Sequence, residues 1–168
     1  GAAQEVVLPA GTSVPQLRAE GVRRARGIRV ALLEDHCPVR PGWLQALRSG
    51  GLEAPGAVLG GPVSQARDAR SATSWAVYLQ DYLLLAPPLR PGASPMPSGC
   101  NASLSSALLD QLEPVWCHGV YEASLWAAIR AAGVPTVLLE GLGVEHRGHY
   151  RFGWAVAQAW HHGRLFGA

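Results

Sequence analysis

Ile28-Arg29-Val30-Ala31-Leu32-Leu33-Glu34-Asp35-His36 runs directly into Cys37-Pro38-Val39-Arg40-Pro41-Gly42-Trp43. The first six positions are almost wholly apolar and rich in branched side chains, as in an inner strand covered on both faces. Three polar, metal-competent residues follow at once. The Pro/Gly punctuation then marks a turn, and a helix opens at Trp43. In open α/β sheets ligands bind beyond the carboxyl ends of strands. Two carboxylates and an imidazole at such an end can hold a divalent cation, which in turn can grip a diphosphate. Ordinary solvated polar residues at a strand end are the plain alternative.

Working outward, residues 4–8 form a short apolar strand candidate, and Ser13 is placed to cap a helix over residues 14–26 with Pro15 in its first turn. Gly27 stops that helix and the strand 28–33 follows. This β-α-β order predicts parallel pairing with a right-handed crossover. Further on, a short helix over 43–48 stops at Gly50-Gly51, and a strand over 57–63 closes at Pro62. A helix spans 71–85, and the proline-rich stretch 86–98 is an irregular loop. Helices over 103–112 and 121–132, a strand over 134–139, an extended piece over 143–146 and a helix over 150–166 complete the chain. The alternation places it in the α/β class as a single domain spanning 1–168, with a mainly parallel sheet flanked by helices.

Composition narrows the partners. Apolar residues make up 48% and charged residues 15%, which describes a globular domain. A net charge of +2 with scattered basic residues, all arginine, gives no footprint for nucleic acid. Arg18 and Arg23 read as solvated charges on the first helix. Cys37, Cys100 and Cys117 are odd in number and lack metal-finger spacing, which points to a reducing, cytoplasmic setting. No apolar run reaches the ~20 residues of a membrane span. The aromatic last helix, with Phe152, Trp154 and Trp160, is suited to peripheral contact at the inner membrane face.

The order of short motifs carries further. Leu32-Leu33-Glu34-Asp35-His36 followed by Pro41-Gly42-Trp43-Leu44 resembles the strand, acidic triplet and P-G-W-L of family 2 glycosyltransferases with the GT-A fold. Pro97-Ser98-Gly99-Cys100-Asn101 resembles their acceptor-side loop. Gly119-Val120-Tyr121-Glu122 through Leu125, Arg130 and Gly133 is similar to their G-x-x-E-D-x-x-L-x-x-R helix, with Ala123 in place of Asp. Val144-Glu145-His146 and Trp160-His161-His162-Gly163-Arg164 resemble the closing motifs.

The resemblance implies a GT-A-type, N-terminally truncated domain that starts in the second half of the nucleoside-binding unit. It implies transfer of a sugar from a nucleotide-diphosphate donor to a hydroxyl acceptor (sugar, lipid or polysaccharide), with inversion, assisted by Mn²⁺ or Mg²⁺. On that reading Glu34 and Asp35 face the donor, and His36, with Asp35 and His146, holds the metal. Glu122 is the base, His162 and Arg164 contact the diphosphate, and Gly99 and Asn101 shape the acceptor side. A degenerate GT-A domain that binds a sugar or a partner without turnover is the alternative.

Overall fold

The computed structural model describes residues 4–89 and 96–166, with the side chains of 161, 162 and 164–166 left out of the description. Its elements run α1 (Val14–Arg24), β1 (Arg29–Leu33), α2 (Trp43–Glu53), β2 (Val58–Gly60), β3 (Val63–Gln65) and α3 (Ala72–Tyr82). Next come β4 (Asn101–Ser105), α4 (Ser106–Gln111), α5 (Glu113–Trp116), α6 (Glu122–Ala131), β5 (Thr136–Leu138), β6 (Val144–His146) and α7 (Phe152–Phe166). Short 3₁₀ turns at Leu83–Leu85 and Glu140–Leu142 follow α3 and β5.

The class is α/β, but the sheet is mixed and not mainly parallel. Four strands lie in the order β1-β4-β2-β5, and β4 is antiparallel to both β1 and β2. Only β2 and β5 pair in parallel there. β1, β2 and β5 nevertheless share one direction, because β4 reverses it twice. The expected helix over 103–112 hides this strand: Asn101-Ala102-Ser103-Leu104-Ser105 alternates polar and apolar with period two, and the helix begins only after Ser105 caps it through Leu108 N (3.2 Å). Residues 4–8 are not a strand, and α2 continues through Gly50-Gly51 to Glu53. Gly50 is buried where a side chain would strike Leu139, so close helix–strand packing outweighs poor propensity.

Strand alternation builds two cores. Leu32, Val58, Ala102 and Leu104 face α1, α4, α5 and α6, packing with Ala19, Val22, Leu125 and Ile129. Leu59, Val63 and Val144 face α2 and α3 and pack with Trp43, Tyr78 and Tyr82. The expected single strand over 57–63 breaks at Gly61-Pro62, and its second half becomes β3, paired in parallel with β6 in a separate two-stranded sheet. Pro62 has no N–H to give the ladder, though its carbonyl accepts from Val144 N (3.0 Å). A Cβ on Gly61 would lie 2.5 Å from Leu142 O and 2.6 Å from Leu139 O. The strands ending at Leu33 and Leu138 therefore share a sheet, while Val63 lies in the other one.

Asn101, wholly buried, ties these pieces together. Its Oδ1 accepts from Trp43 Nε1 (3.1 Å) and its Nδ2 donates to Leu142 O (2.6 Å). No helix among the described residues is long and apolar enough to cross a membrane.

Gly61→Ala is expected to destabilise by about 1–3 kcal/mol, since backbone carbonyls cannot move aside as a side chain would. Gly56→Ala, whose Cβ meets nothing within 4 Å, should be neutral or gain up to ~1 kcal/mol. Denaturant midpoints of the two variants give the comparison.

Candidate functional site

Parity on β1 sends Glu34 the way of Val30 and Leu32, towards α1 and α6. There it forms an ion pair with Arg18 through Nη2. Arg18 Nη1 in turn holds Glu122 Oε1 at 3.0 Å, so one guanidinium bridges two carboxylates that lie 88 positions apart in sequence. Arg18 is not the solvated charge expected. It lies four residues before buried Val22, next to buried Ala19, and only 15% of its side chain is exposed. That helix stripe was the available signal. Arg23, one position further round, is the more exposed surface residue and pairs with Glu20.

Glu122 opens α6, where the helix dipole favours a carboxylate. Its Oε2 accepts from Gly99 N (2.9 Å). A Cβ on Gly99 would fall 2.3 Å from Glu122 Oε1 and 3.0 Å from Arg18 Nη1, so glycine permits the approach. Val120 N donates to Pro15 O (2.8 Å), docking the start of α6 onto the start of α1. A cavity of about 500 Å³ opens beside Glu122, lined by Leu83, Leu84, Pro97, Ser98, Trp126 and others. The larger cavity of about 640 Å³, near Ile28 and Leu52, contains none of these site residues.

Past Leu33 the strand alternation ends. Cys37 N donates to Glu34 O (3.0 Å), closing a turn that carries His36 and Cys37 to the other side of the sheet edge. Arg147 N donates to His36 O (2.8 Å) and Glu145 N to Pro38 O (3.0 Å), fastening the turn to β6. His36 and His146 stand edge to face with ring centres 5.3 Å apart. His36 Nε2 lies 3.4 Å from Glu34 Oε2, and Nδ1 lies 3.3 Å from Asp35 Oδ1. Asp35 itself is fully exposed.

His146 is buried among Tyr78, Tyr82 and Tyr150. Its Nδ1 donates to Gln65 Oε1 (2.9 Å), and its Nε2 accepts from the Tyr150 hydroxyl (3.0 Å). Burial, then the charge of nearby His36, pulls its pKa down to about 4. Burial also pushes the three phenols up, so the cage is uncharged at neutral pH. Neither the tyrosine cage nor Arg18 was visible in the motif reading. Asn101 has both side-chain ends committed inside the protein, holding the loop and β4 together. His162 and Arg164 lie on α7, and their side chains are outside the described residues.

The donor set discriminates between cations. Mg²⁺ demands oxygen ligands in near-octahedral array. One Glu34 oxygen is taken by Arg18 and exposed Asp35 is engaged by His36 Nδ1, so these residues offer Mg²⁺ too few oxygens. Glu34 Oε2 and His36 Nε2 lie 3.4 Å apart, close enough to share one cation, and the Cys37 sulfur belongs to the same donor group. His146 could join only by giving up Gln65 or Tyr150. Asp35 fits a supporting place, accepting from the far nitrogen of His36.

No family model matches this chain, and no curated protein matches it.

Two outcomes follow from this geometry. Arg18→Met leaves Glu34 and Glu122 without their shared counter-charge and should cost about 1–3 kcal/mol, with Glu34→Gln restoring part of it in the double variant. His146 binds its proton more weakly folded than unfolded. Between pH 6.5 and about 4 the unfolded chain therefore takes up protons that the folded chain refuses. His146-linked stability is full above pH 6.5 and falls as pH drops towards 4; His146→Gln should flatten that slope in urea titrations.

Proposed function

We propose that this chain transfers a sugar from a nucleotide-diphosphate donor to a hydroxyl acceptor. What carries the reading is convergence. Residues 34–36, 99, 122 and 146 belong to separate motifs of the resemblance, and Arg18, the Gly99 amide and the His36–His146 contact link them at one sheet edge.

Within this reading the roles divide across the sheet edge. The Glu34 side carries the donor, and the cavity beside Glu122 takes the acceptor. A divalent cation, when bound by Glu34 and His36, neutralises the charge that develops on a diphosphate leaving group. Glu122 is held by Arg18 and by Gly99 N, one donor on each oxygen. Each oxygen keeps a lone pair free to accept the proton of an acceptor hydroxyl. Geometry of that kind fixes the base before the acceptor arrives, which is the first requirement of general base catalysis. The leucines at 83–85 and Trp126 give the acceptor an apolar wall.

One observation favours the second reading, a sugar-binding domain without turnover. Ala123 stands where the family's helix carries a second carboxylate, leaving Glu122 alone and already bonded on both oxygens.

The two readings separate in one series. Uridine and guanosine diphosphates, each with Mn²⁺, should raise the melting temperature of the wild-type chain, and His36→Ala should abolish the rise. Glu122→Gln keeps size and hydrogen bonding, so the rise should survive while transfer falls roughly 10²–10⁴-fold. No rise with any nucleoside diphosphate, together with a rise on adding free sugar, would establish the binding module instead.

A further inference from the structure

Helix α7 turns aromatic side chains outward. Phe152, Val156 and Trp160 follow one another at four-residue spacing and form one stripe along it, with Phe152 73% and Trp160 71% exposed. Trp154, also exposed, stacks on Tyr150 with ring centres 4.6 Å apart. A groove of about 250 Å³ runs between α3 and α7, lined by Val77 and Gln80 on one side and Phe152, Trp154 and Val156 on the other. Leu79, Leu83 and Leu84, exposed on α3 and the turn after it, line the cavity beside Glu122, and Gln80 and Asp81 line both hollows. The apolar surface therefore runs from α7 across α3 to that cavity. Exposed apolar faces of this extent mark docking surfaces. We infer that the α3–α7 face docks on the surface of an anionic lipid bilayer.

Charge selects the partner. Residues 147–168 carry three arginines and no carboxylate, whereas residues 1–146 carry eleven arginines against all twelve carboxylates, so the net positive charge of the chain resides at this end. Arg147 is paired with Glu145, but Arg151 is exposed at the N-terminus of α7, where a helix dipole disfavours a cation. Its place gives the helix no stability and leaves the charge for an external anion. Asp81 is the one carboxylate lining the groove. Arginine together with Trp and Phe on one helix is the composition of an interfacial helix that lies in the headgroup layer, where tryptophan rings settle preferentially. Side chains that stand this far out of the surface would need pre-shaped holes in a protein partner, whereas fluid lipid closes round them. Docking stands independently of the transfer chemistry proposed above. Taken with that chemistry, the adjoining cavity makes a lipid hydroxyl the acceptor nearest to Glu122.

Vesicle flotation tests the face without any activity assay. At low salt the chain should float with vesicles of phosphatidylcholine containing about 30% phosphatidylglycerol, and should bind pure phosphatidylcholine vesicles at least ~10-fold more weakly. Phe152→Ser combined with Trp160→Ser, both at exposed positions, should keep the melting temperature and weaken binding to the anionic vesicles at least ~10-fold. Arg151→Gln should weaken it roughly 5-fold, the factor that one arginine contributes near an anionic surface. Leu52→Ser, at an equally exposed apolar position outside the face, should bind as the wild type does. A wild-type chain that does not float with anionic vesicles, equal binding to both kinds of vesicle, or undiminished binding in the double variant overturns the inference. So does a wild-type chain that ignores vesicles but sediments as a dimer which the double variant dissociates, since the face would then join two copies of the chain.

Discussion

Two carboxylates in one half-buried cleft repel unless a cation stands between them, and Arg18 is that cation. Glu34 reaches the cleft from the end of β1 and Glu122 from the start of α6. Arginine suits the place because its planar fork offers separate N–H groups to separate acceptors, which a lysine ammonium could not hold in fixed directions. The bridge also couples distant pieces of chain: α1 supplies the fork, β1 and α6 the acceptors, and Gly99 the amide that steadies the second one. A side chain at position 99 would occupy the space of the Glu122 carboxylate. The site therefore depends on one charge and one missing Cβ.

Much of the layout was legible because it rests on local signals. The apolar run of β1, the Ser13 and Ser71 helix starts and the stop at Gly133 are all written in adjacent residues. What escaped was non-local. β4 follows a Ser-Gly-Cys turn and carries Ala, Ser and Leu, residues as acceptable in a helix as in a strand. Its state is decided by two neighbours, β1 and β2, that offer it a ladder on both edges. With β4 inserted, β1 is parted from β2 and β5, which share its direction and stay paired with each other, and a sheet that alternation would make parallel becomes mixed. The break at Gly61-Pro62 is likewise half-visible. Proline announces an interruption, but the switch of partner from β5 to β6 follows from the matching kink at residues 139–143 on the other strand.

The candidate site was legible to the same degree and for the same reason. Position in a motif located Glu34, His36, Gly99, Glu122 and His146 without reporting what each side chain touches. His146 shows the difference. A histidine at a strand end has the right type for a ligand, yet three tyrosines surround it, and Gln65 and Tyr150 occupy its two ring nitrogens. An imidazole whose lone pair already accepts from a phenol has little to offer a metal, and its burial keeps it neutral. Its edge-to-face contact with His36 makes it a wall for the ring that does reach solvent.

His36 thus occupies the hinge between two environments. On one side lies the charged bridge of Glu34, Arg18 and Glu122; on the other lies the neutral cage around His146. Crossing a sheet edge within four residues requires a turn, and the Glu34–Cys37 backbone bond supplies it. The same turn that swings His36 across also buries Cys37 in the core beside Cys100, whose thiol, followed by burial, pushes the Cys37 thiol upward and keeps it protonated. A protonated, buried thiol is inert towards solvent. One turn therefore sets both the direction of the imidazole and the burial of the thiol that follows it.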